Sequence, residues 1–281
     1  MKARKNRIKK MSVAEMVLHA FIVLFAVLSL VPLSWLISNT FKYSDQVVKM
    51  PPDWIPRQFM LDHYISIFTT TNALQWLFNS LIVACSSTLL IVIVSSMAAY
   101  AFSKLDFWGS KWLYVAFIST LMIPKESYIV PLFTFMRDMK LTNTYTSMIL
   151  PVAALPFGTF LLRSFFDAIP NEIRESGKID GANEMTIFVR LILPMAVPGL
   201  GALFILMFVR CWNDYLWQLL MAKKDNMKTL MVGIASLMED NRPDYARKLT
   251  GSAISAIVMI IVFLSFQRFF TRGISIGAVK G

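Results

Sequence analysis

Four ionisable residues stand out because they interrupt long apolar stretches: Lys125, Glu126, Arg210 and Asp214. Charges inside a membrane are costly, so residues of this kind are functional candidates by default. Arg210 and Asp214 are four residues apart, a spacing that lets their side chains pair along one face of a helix. These residues could therefore neutralise one another as packing groups, or they could contact a polar solute that crosses a membrane.

Other kinds of chemistry have little support in the sequence. His19 and His63 are isolated and far apart, so no metal constellation is visible. Cys85 and Cys211 lie in apolar runs and are expected to be small core residues rather than a disulfide or a metal pair. The chain contains no Gly-x-x-x-x-Gly-Lys-Ser/Thr loop to cradle a nucleotide. We therefore expect no catalytic residues, no metal and no cofactor in this chain.

The elements that position these residues are predicted to be membrane helices. Hydrophobic residues make up 56% of the 281 residues and charged residues 16%, whereas soluble domains have roughly 45–50% and 25%. A spanning helix needs about 20 mostly apolar residues. Six stretches approach this requirement: about 17–37, 74–101, 112–135, 145–162, 197–220 and 253–266. The sequence thus predicts an all-α membrane protein with six transmembrane helices in one domain, 17–281.

The charge pattern predicts how these helices are oriented. Six of the first ten residues are Lys or Arg, which places the segment 1–16 in the cytoplasm. The apolar run that follows is too long for a signal peptide, so it is expected to remain as an anchor. An even number of spans puts the C-terminus in the cytoplasm as well. External loops are expected at about 38–73 and 221–252, with a cytoplasmic loop at about 163–192 and no nucleic-acid partner.

The cytoplasmic loop carries the most informative pattern. Pro170 suits the first turn of a helix. Glu172 and Glu175 complement the positive end of the helix dipole. Gly181 is placed to end the helix in a left-handed conformation. We therefore expect a short polar helix of about ten residues between two spans.

This loop resembles the EAA loop of ABC importer permeases, which reads Glu-Ala-Ala, three residues, Gly, nine residues and Ile-x-Leu-Pro. Here Glu175 is followed by Ser176 and Gly177. Gly181 comes next, and after nine residues Leu191-Ile192-Leu193-Pro194. Ser and Gly replace the two alanines, and they give the helix a small-residue face that another backbone could approach closely.

Other segments extend the resemblance over nearly the whole chain. Residues 212–217, Trp-Asn-Asp-Tyr-Leu-Trp, resemble the Trp-Asn-Asp block of carbohydrate permeases, with Gln218 where these usually have Pro. Residues 267–270 and 277–281 resemble the end of the maltose-type second permease. Segments 79–80, 98–103 and 124–131 agree too. The chain is thereby identified as similar to the carbohydrate-importer permeases.

The resemblance implies a type I ABC importer permease fold in a bacterial or archaeal cytoplasmic membrane. Its implied partners are a second homologous permease, two ABC ATPase subunits that bind ATP and Mg, and an extracytoplasmic solute-binding protein. The residues implied at the ATPase contact are Glu172, Glu175, Ser176, Gly177, Asp180, Gly181 and Ala182. The residues expected along a translocation pathway are Asn79, Glu126, Asn213 and Asp214.

An ion-coupled secondary transporter of a small polar solute is the alternative hypothesis, and it could use Glu126 and Asp214. No internal inverted repeat is evident, and six spans is few for a monomeric carrier. A second permease and a binding protein encoded beside this chain would favour the importer. Because the charges within the predicted spans sum to zero, a neutral oligosaccharide or related polyol is the favoured solute.

Overall fold

The computed structural model describes residues 12–47, 49–237 and 245–278, with side chains described up to residue 267. These residues form helices joined by turns, and the described part of the chain contains no strand. The helices are α1 (Val13–Thr40), α2 (Ser44–Val47), α3 (Asp62–Thr70), α4 (Ala73–Lys104), α5 (Ser110–Ser119), α6 (Ile129–Asp138), α7 (Tyr145–Ile149), α8 (Pro156–Asp167), α9 (Asn171–Ile179), α10 (Glu184–Ile187), α11 (Leu193–Met195), α12 (Val197–Trp212), α13 (Leu216–Met221), α14 (Leu230–Ser236) and α15 (Tyr245–Ala278).

Three of these helices are long and apolar enough to cross a membrane: α1, α4 and α15. Two bent pairs add to them. One joins α7 to α8 with a bend of 48°, and the other joins α10 and α11 to α12 with a bend of 80°. The described residues therefore offer three to five spans, and the predicted count of six is not confirmed.

The third predicted span, 112–135, is broken in its middle. After α5 the chain forms two short 3-10 turns, Thr120–Met122 and Lys125–Ser127, on either side of Pro124. Proline lacks an amide donor and disfavours a helical conformation in the residue before it, and Ile123 is extended at φ −86° and ψ 113°. Lys125 and Glu126 therefore lie in a break between α5 and α6 rather than inside a continuous helix.

The fifth predicted span, 197–220, is also interrupted. Helix α12 ends at Trp212 and α13 begins only at Leu216. At this break the Asn213 side chain donates to the carbonyl of Val209 at 2.9 Å. Asn side chains compete for backbone groups in this way and favour helix ends. Asp214 consequently lies in the turn after α12 and not on its helical face.

Helix α4 is the centre of the packed core. It packs against α8 and α12, and α12 packs against α15. Close approach depends on small residues, because a Cβ at Gly158 would collide with Ser95 of α4. Apolar side chains of α1 are mostly exposed in the single chain. Since α1 is among the most apolar helices, we expect lipid or a second subunit to cover it.

The first predicted external loop contains α3, and the second contains α14. The second loop is hydrogen-bonded to the start of α4. Trp76, in the first turn of α4, is buried and donates its indole N–H to the carbonyl of Asp225 at 3.0 Å. Burial would raise the pKa of the Asp225 carboxyl. Hydrogen bonds from Asn72 and Lys228 instead bring this pKa below its ordinary value.

Candidate functional site

The short polar helix predicted in the loop 163–192 is present as α9. Pro170 occupies the N-cap position rather than the first turn, and Glu172 lies in the first turn. At the other end Gly181 adopts φ +78°, and the amide of Ala182 donates to the carbonyl of Gly177 at 3.0 Å. This is the left-handed helix ending that the sequence predicted.

Helix α9 is attached to the rest of the chain by a charged cluster around Glu184. Arg174 donates to the two carboxylate oxygens of Glu184 at 2.5 and 3.2 Å. Lys178 lies 3.0 Å from the same carboxylate, and the hydroxyl of Tyr100 donates to it at 2.6 Å. The hydrogen bonds to Glu184 also raise the pKa of Arg174. Sequence reasoning missed this cluster, because no motif marks three elements that meet only in space.

A second attachment joins α4 to the entry of α9. Lys104 is buried, and its ammonium group donates to the carbonyl of Ile169 at 2.5 Å and to the side-chain oxygen of Asn171 at 2.9 Å. Tyr100 and Lys104 are four residues apart, so they lie on the same face of α4. One face of α4 therefore contacts both the start of α9 and the carboxylate to which α9 is bonded.

Gly177 supplies the apolar part of the attachment. It is buried, and a Cβ at this position would lie 2.9 Å from Leu191 and 3.0 Å from Ile187. The small-residue face predicted for Ser176 and Gly177 is therefore divided. Gly177 is approached by side chains of its own chain, whereas Ser176 is exposed.

The remaining surface of α9 faces outward. Five of the seven residues predicted at an ATPase contact are exposed: Glu172, Glu175, Ser176, Asp180 and Gly181. Ala182 is half-buried. Ile179, which the sequence did not single out, is an apolar side chain left 86% exposed. The arrangement leaves an acidic face with one apolar residue available to another protein.

The charged residues predicted along a pathway pair differently from the sequence expectation. Asp214 bonds to Lys125, whose ammonium group donates to its two carboxylate oxygens at 3.0 and 2.8 Å. The predicted Arg210–Asp214 pair is thus corrected. Asp214 lies beyond the end of α12, where the helical four-residue spacing no longer applies. The Lys125 and Asp214 side chains are only 27% and 14% exposed, so the ion pair is largely shielded.

A cavity of about 110 Å³ lies beside this ion pair. Lys125, Asp214 and Arg210 line it together with the aromatic rings of Tyr128 and Trp217. Charged and aromatic groups of this kind can bind the hydroxyls and the apolar faces of a polar solute. Glu126 and Asn213 are exposed and do not line the cavity.

Asn79 is committed to the chain itself. It is fully buried. Its amide nitrogen donates to the carbonyls of Asn226 and Lys228 at 2.9 and 2.8 Å. Its oxygen accepts from Gln75 at 2.9 Å and from the hydroxyl of Tyr145 at 2.7 Å. The amide therefore has no group free for a solute in this conformation, and it attaches the turn after α13 to α4.

The described part of the chain is a packed set of helices, and the polar segment that begins α9 is bonded to the end of α4. The fold is that of a type I ABC importer permease. The crystal structure of a bacterial ABC transporter involved in the import of the acidic polysaccharide alginate matches it with a TM-score of 0.78 and 21% identity, over 92% of this chain and 99% of that one.

The chain belongs to the family described as binding-protein-dependent transport system inner membrane component, whose model matches residues 91–276. It is 35% identical over 265 residues to the arabinooligosaccharides transport system permease protein AraQ of Halalkalibacterium halodurans, covering 93% of this chain and 94% of that protein. It is 30% identical over 264 residues to the trehalose/maltose transport system permease protein MalG of Thermococcus litoralis, covering 92% and 94%. These relatives are permease subunits and not enzymes.

Proposed function

We propose that this chain forms half of the translocation pathway of an ATP-driven carbohydrate importer and couples to a separate ATPase through α9. The observation that carries the proposal is the form of α9, which is bonded firmly on one side and exposed on the other. The names of the relatives, which refer to arabinooligosaccharides and to trehalose and maltose, support an oligosaccharide as the solute.

The contacts of α9 suggest how coupling works. A subunit that pulls or pushes its exposed face displaces Arg174 and, through Glu184, the hydroxyl of Tyr100 on α4. Packing at Gly177 carries the same displacement to the segment of α10 and α11. ATP and Mg are bound by the two partner ATPases, and this chain supplies the rigid connection to the membrane helices.

The pathway proposal centres on Asp214 and the cavity beside it. Asp214, with the exposed Asn213 and Glu126, would line part of the route, and the second permease would line the rest. The Lys125–Asp214 pair neutralises the carboxylate without filling the cavity. An extracytoplasmic binding protein would deliver the solute.

We also propose that both termini face the cytoplasm. The basic residues of 1–10 and the terminal residues 279–281 lie outside the described residues.

The test is reconstitution of the complete transporter in proteoliposomes with its second permease, ATPase and binding protein. The solutes tested are arabinooligosaccharides, maltose and trehalose. We expect ATP-dependent uptake of at least one of them. Glu175→Lys and Gly181→Asp should leave the permease in the membrane and abolish solute-stimulated ATP hydrolysis. Any side chain at Gly181 also disfavours its left-handed conformation.

The matched control is Asp138→Lys, which makes the same charge change at an exposed acid at the end of α6. Normal ATPase copurification and normal stimulated hydrolysis in both α9 variants would contradict the coupling role. Uptake that continues without ATP and follows a proton or sodium gradient would favour the ion-coupled alternative instead.

A further inference from the structure

The turn between α4 and α5 carries two adjoining cavities outside the sites described above. One has a volume of about 460 Å³ and is lined by Lys111 and Arg163 among aromatic rings. The other is an open groove of about 700 Å³ bounded by Trp108 and Trp112. Trp112 lines both, so a cationic cavity opens directly beside an aromatic and apolar groove.

The cations of the first cavity retain free donors. Arg163 stacks over the ring of Tyr114, 3.9 Å from its centroid, and its Nε lies 3.5 Å from the carboxylate of Asp167. The terminal nitrogens of Arg163 have no hydrogen-bond partner within the described ranges. Lys111 is exposed, and no carboxylate of the described chain lies within ion-pair distance of it. The cavity therefore has positive charge available to bind an anion, and Asp167 is the acidic residue beside it.

The two cavities lie just beyond the end of α4, a helix long and apolar enough to cross a membrane. The apolar helix α4 ends at Lys104, which is bonded to the entry of α9. The cavities follow within a few residues, at the same end of the molecule as α9. Trp108 is 100% exposed and Trp112 79% exposed, and tryptophans at this level are typical of the membrane–water interface. In the topology proposed above this is the cytoplasmic leaflet.

We propose that this surface binds an anionic phospholipid, with its phosphate between Lys111 and Arg163 and an acyl chain along the groove between Trp108 and Trp112. Basic pockets beside membrane helices on the cytoplasmic side suit anionic headgroups. The amides of Lys111 and Trp112 in the first turn of α5, which has no capping side chain, add donors for the phosphate. A soluble phosphate would use the cationic cavity alone. The adjoining groove is what points to a lipid.

The experiment uses the complete purified transporter in detergent and native mass spectrometry. Phosphatidylglycerol and phosphatidylcholine with identical acyl chains are titrated separately. We expect tighter retention of phosphatidylglycerol, and an affinity about fivefold weaker in Lys111→Gln or Arg163→Gln. The matched control is Lys224→Gln. Lys224 is an exposed lysine in the loop after α13, close to the opposite end of α4, and its replacement should leave the affinity unchanged. Lys111 is exposed, so its variant keeps the test valid even where Arg163→Gln fails to assemble.

Three results would overturn the proposal. The first is equal retention of the two lipids, or an affinity that Lys111→Gln does not change. The second is complete displacement of the lipid by glycerol 3-phosphate, which would show a site for a soluble phosphate. The third is efficient crosslinking of a photoreactive residue at Trp112 to another subunit, which would show that a protein covers the groove.

Discussion

Replacement of Glu184 by Gln tests the attachment of α9 most directly. The change removes the negative charge that Arg174, Lys178 and Tyr100 share, and it leaves a single amide oxygen as acceptor. A hydrogen bond to a charged partner contributes roughly 1.5–3 kcal/mol. Because the Glu184 side chain is 40% exposed, water replaces part of the loss. We therefore expect destabilisation of about 1–2 kcal/mol. For a chain of this length that corresponds to a fall of about 2–4 °C in unfolding temperature.

The assay combines thermal unfolding of the purified transporter with import and ATP hydrolysis in proteoliposomes. Glu184→Gln should lower the amount of solute imported per ATP, because α9 is held less firmly against α4. Tyr100→Phe removes one neutral donor and should have a smaller effect on both measurements. In a double-mutant cycle with Arg174→Gln we expect a coupling energy of about 1 kcal/mol.

Two outcomes would refute this reasoning. A cycle coupling energy below about 0.3 kcal/mol, within ordinary additivity, would show that the Arg174–Glu184 bond does not stabilise α9. An unchanged ratio of import to hydrolysis at lowered stability would show that the cluster is structural and does not transmit the movement of α9.

The remaining predictions concern other buried contacts. Asp214→Leu should lower membrane abundance by leaving Lys125 uncompensated, a cost of about 3–5 kcal/mol. The double variant Lys125→Gln with Asp214→Asn should restore abundance, and Arg210→Gln alone should leave it nearly normal. Asn79→Leu should lower the stability by roughly 2–4 kcal/mol, because the two carbonyls that Asn79 bonds lose their donor. Proteolysis of the turn after α13 should then be faster, and an unchanged proteolysis rate would contradict the attachment role of Asn79. Gly233→Ala should cost about 1–3 kcal/mol, measured by thermal unfolding, because a Cβ there would overlap the indole ring at the start of α4.

The sequence by itself determined the class of this protein and the main features of its polar helix. Composition and apolar run length depend only on residue type, so they were enough to predict a helical membrane chain. The ending of α9 at Gly181 was also predictable, because left-handed conformations are local and favour glycine. The loop motif and its spacing indicated the family before any contact was known.

Only the tertiary structure decided which charged groups meet. Lys125 and Asp214 are 89 residues apart, and the breaks that bring them together follow from Pro124 and from the end of α12. Tyr100 and Glu184 are 84 residues apart, and Asn79 gains its partners 147 and 149 residues away. Pairing at such separations depends on how α4 packs against its neighbours. The hydropathy pattern shows that these residues are polar, but it does not show which other polar group each of them contacts.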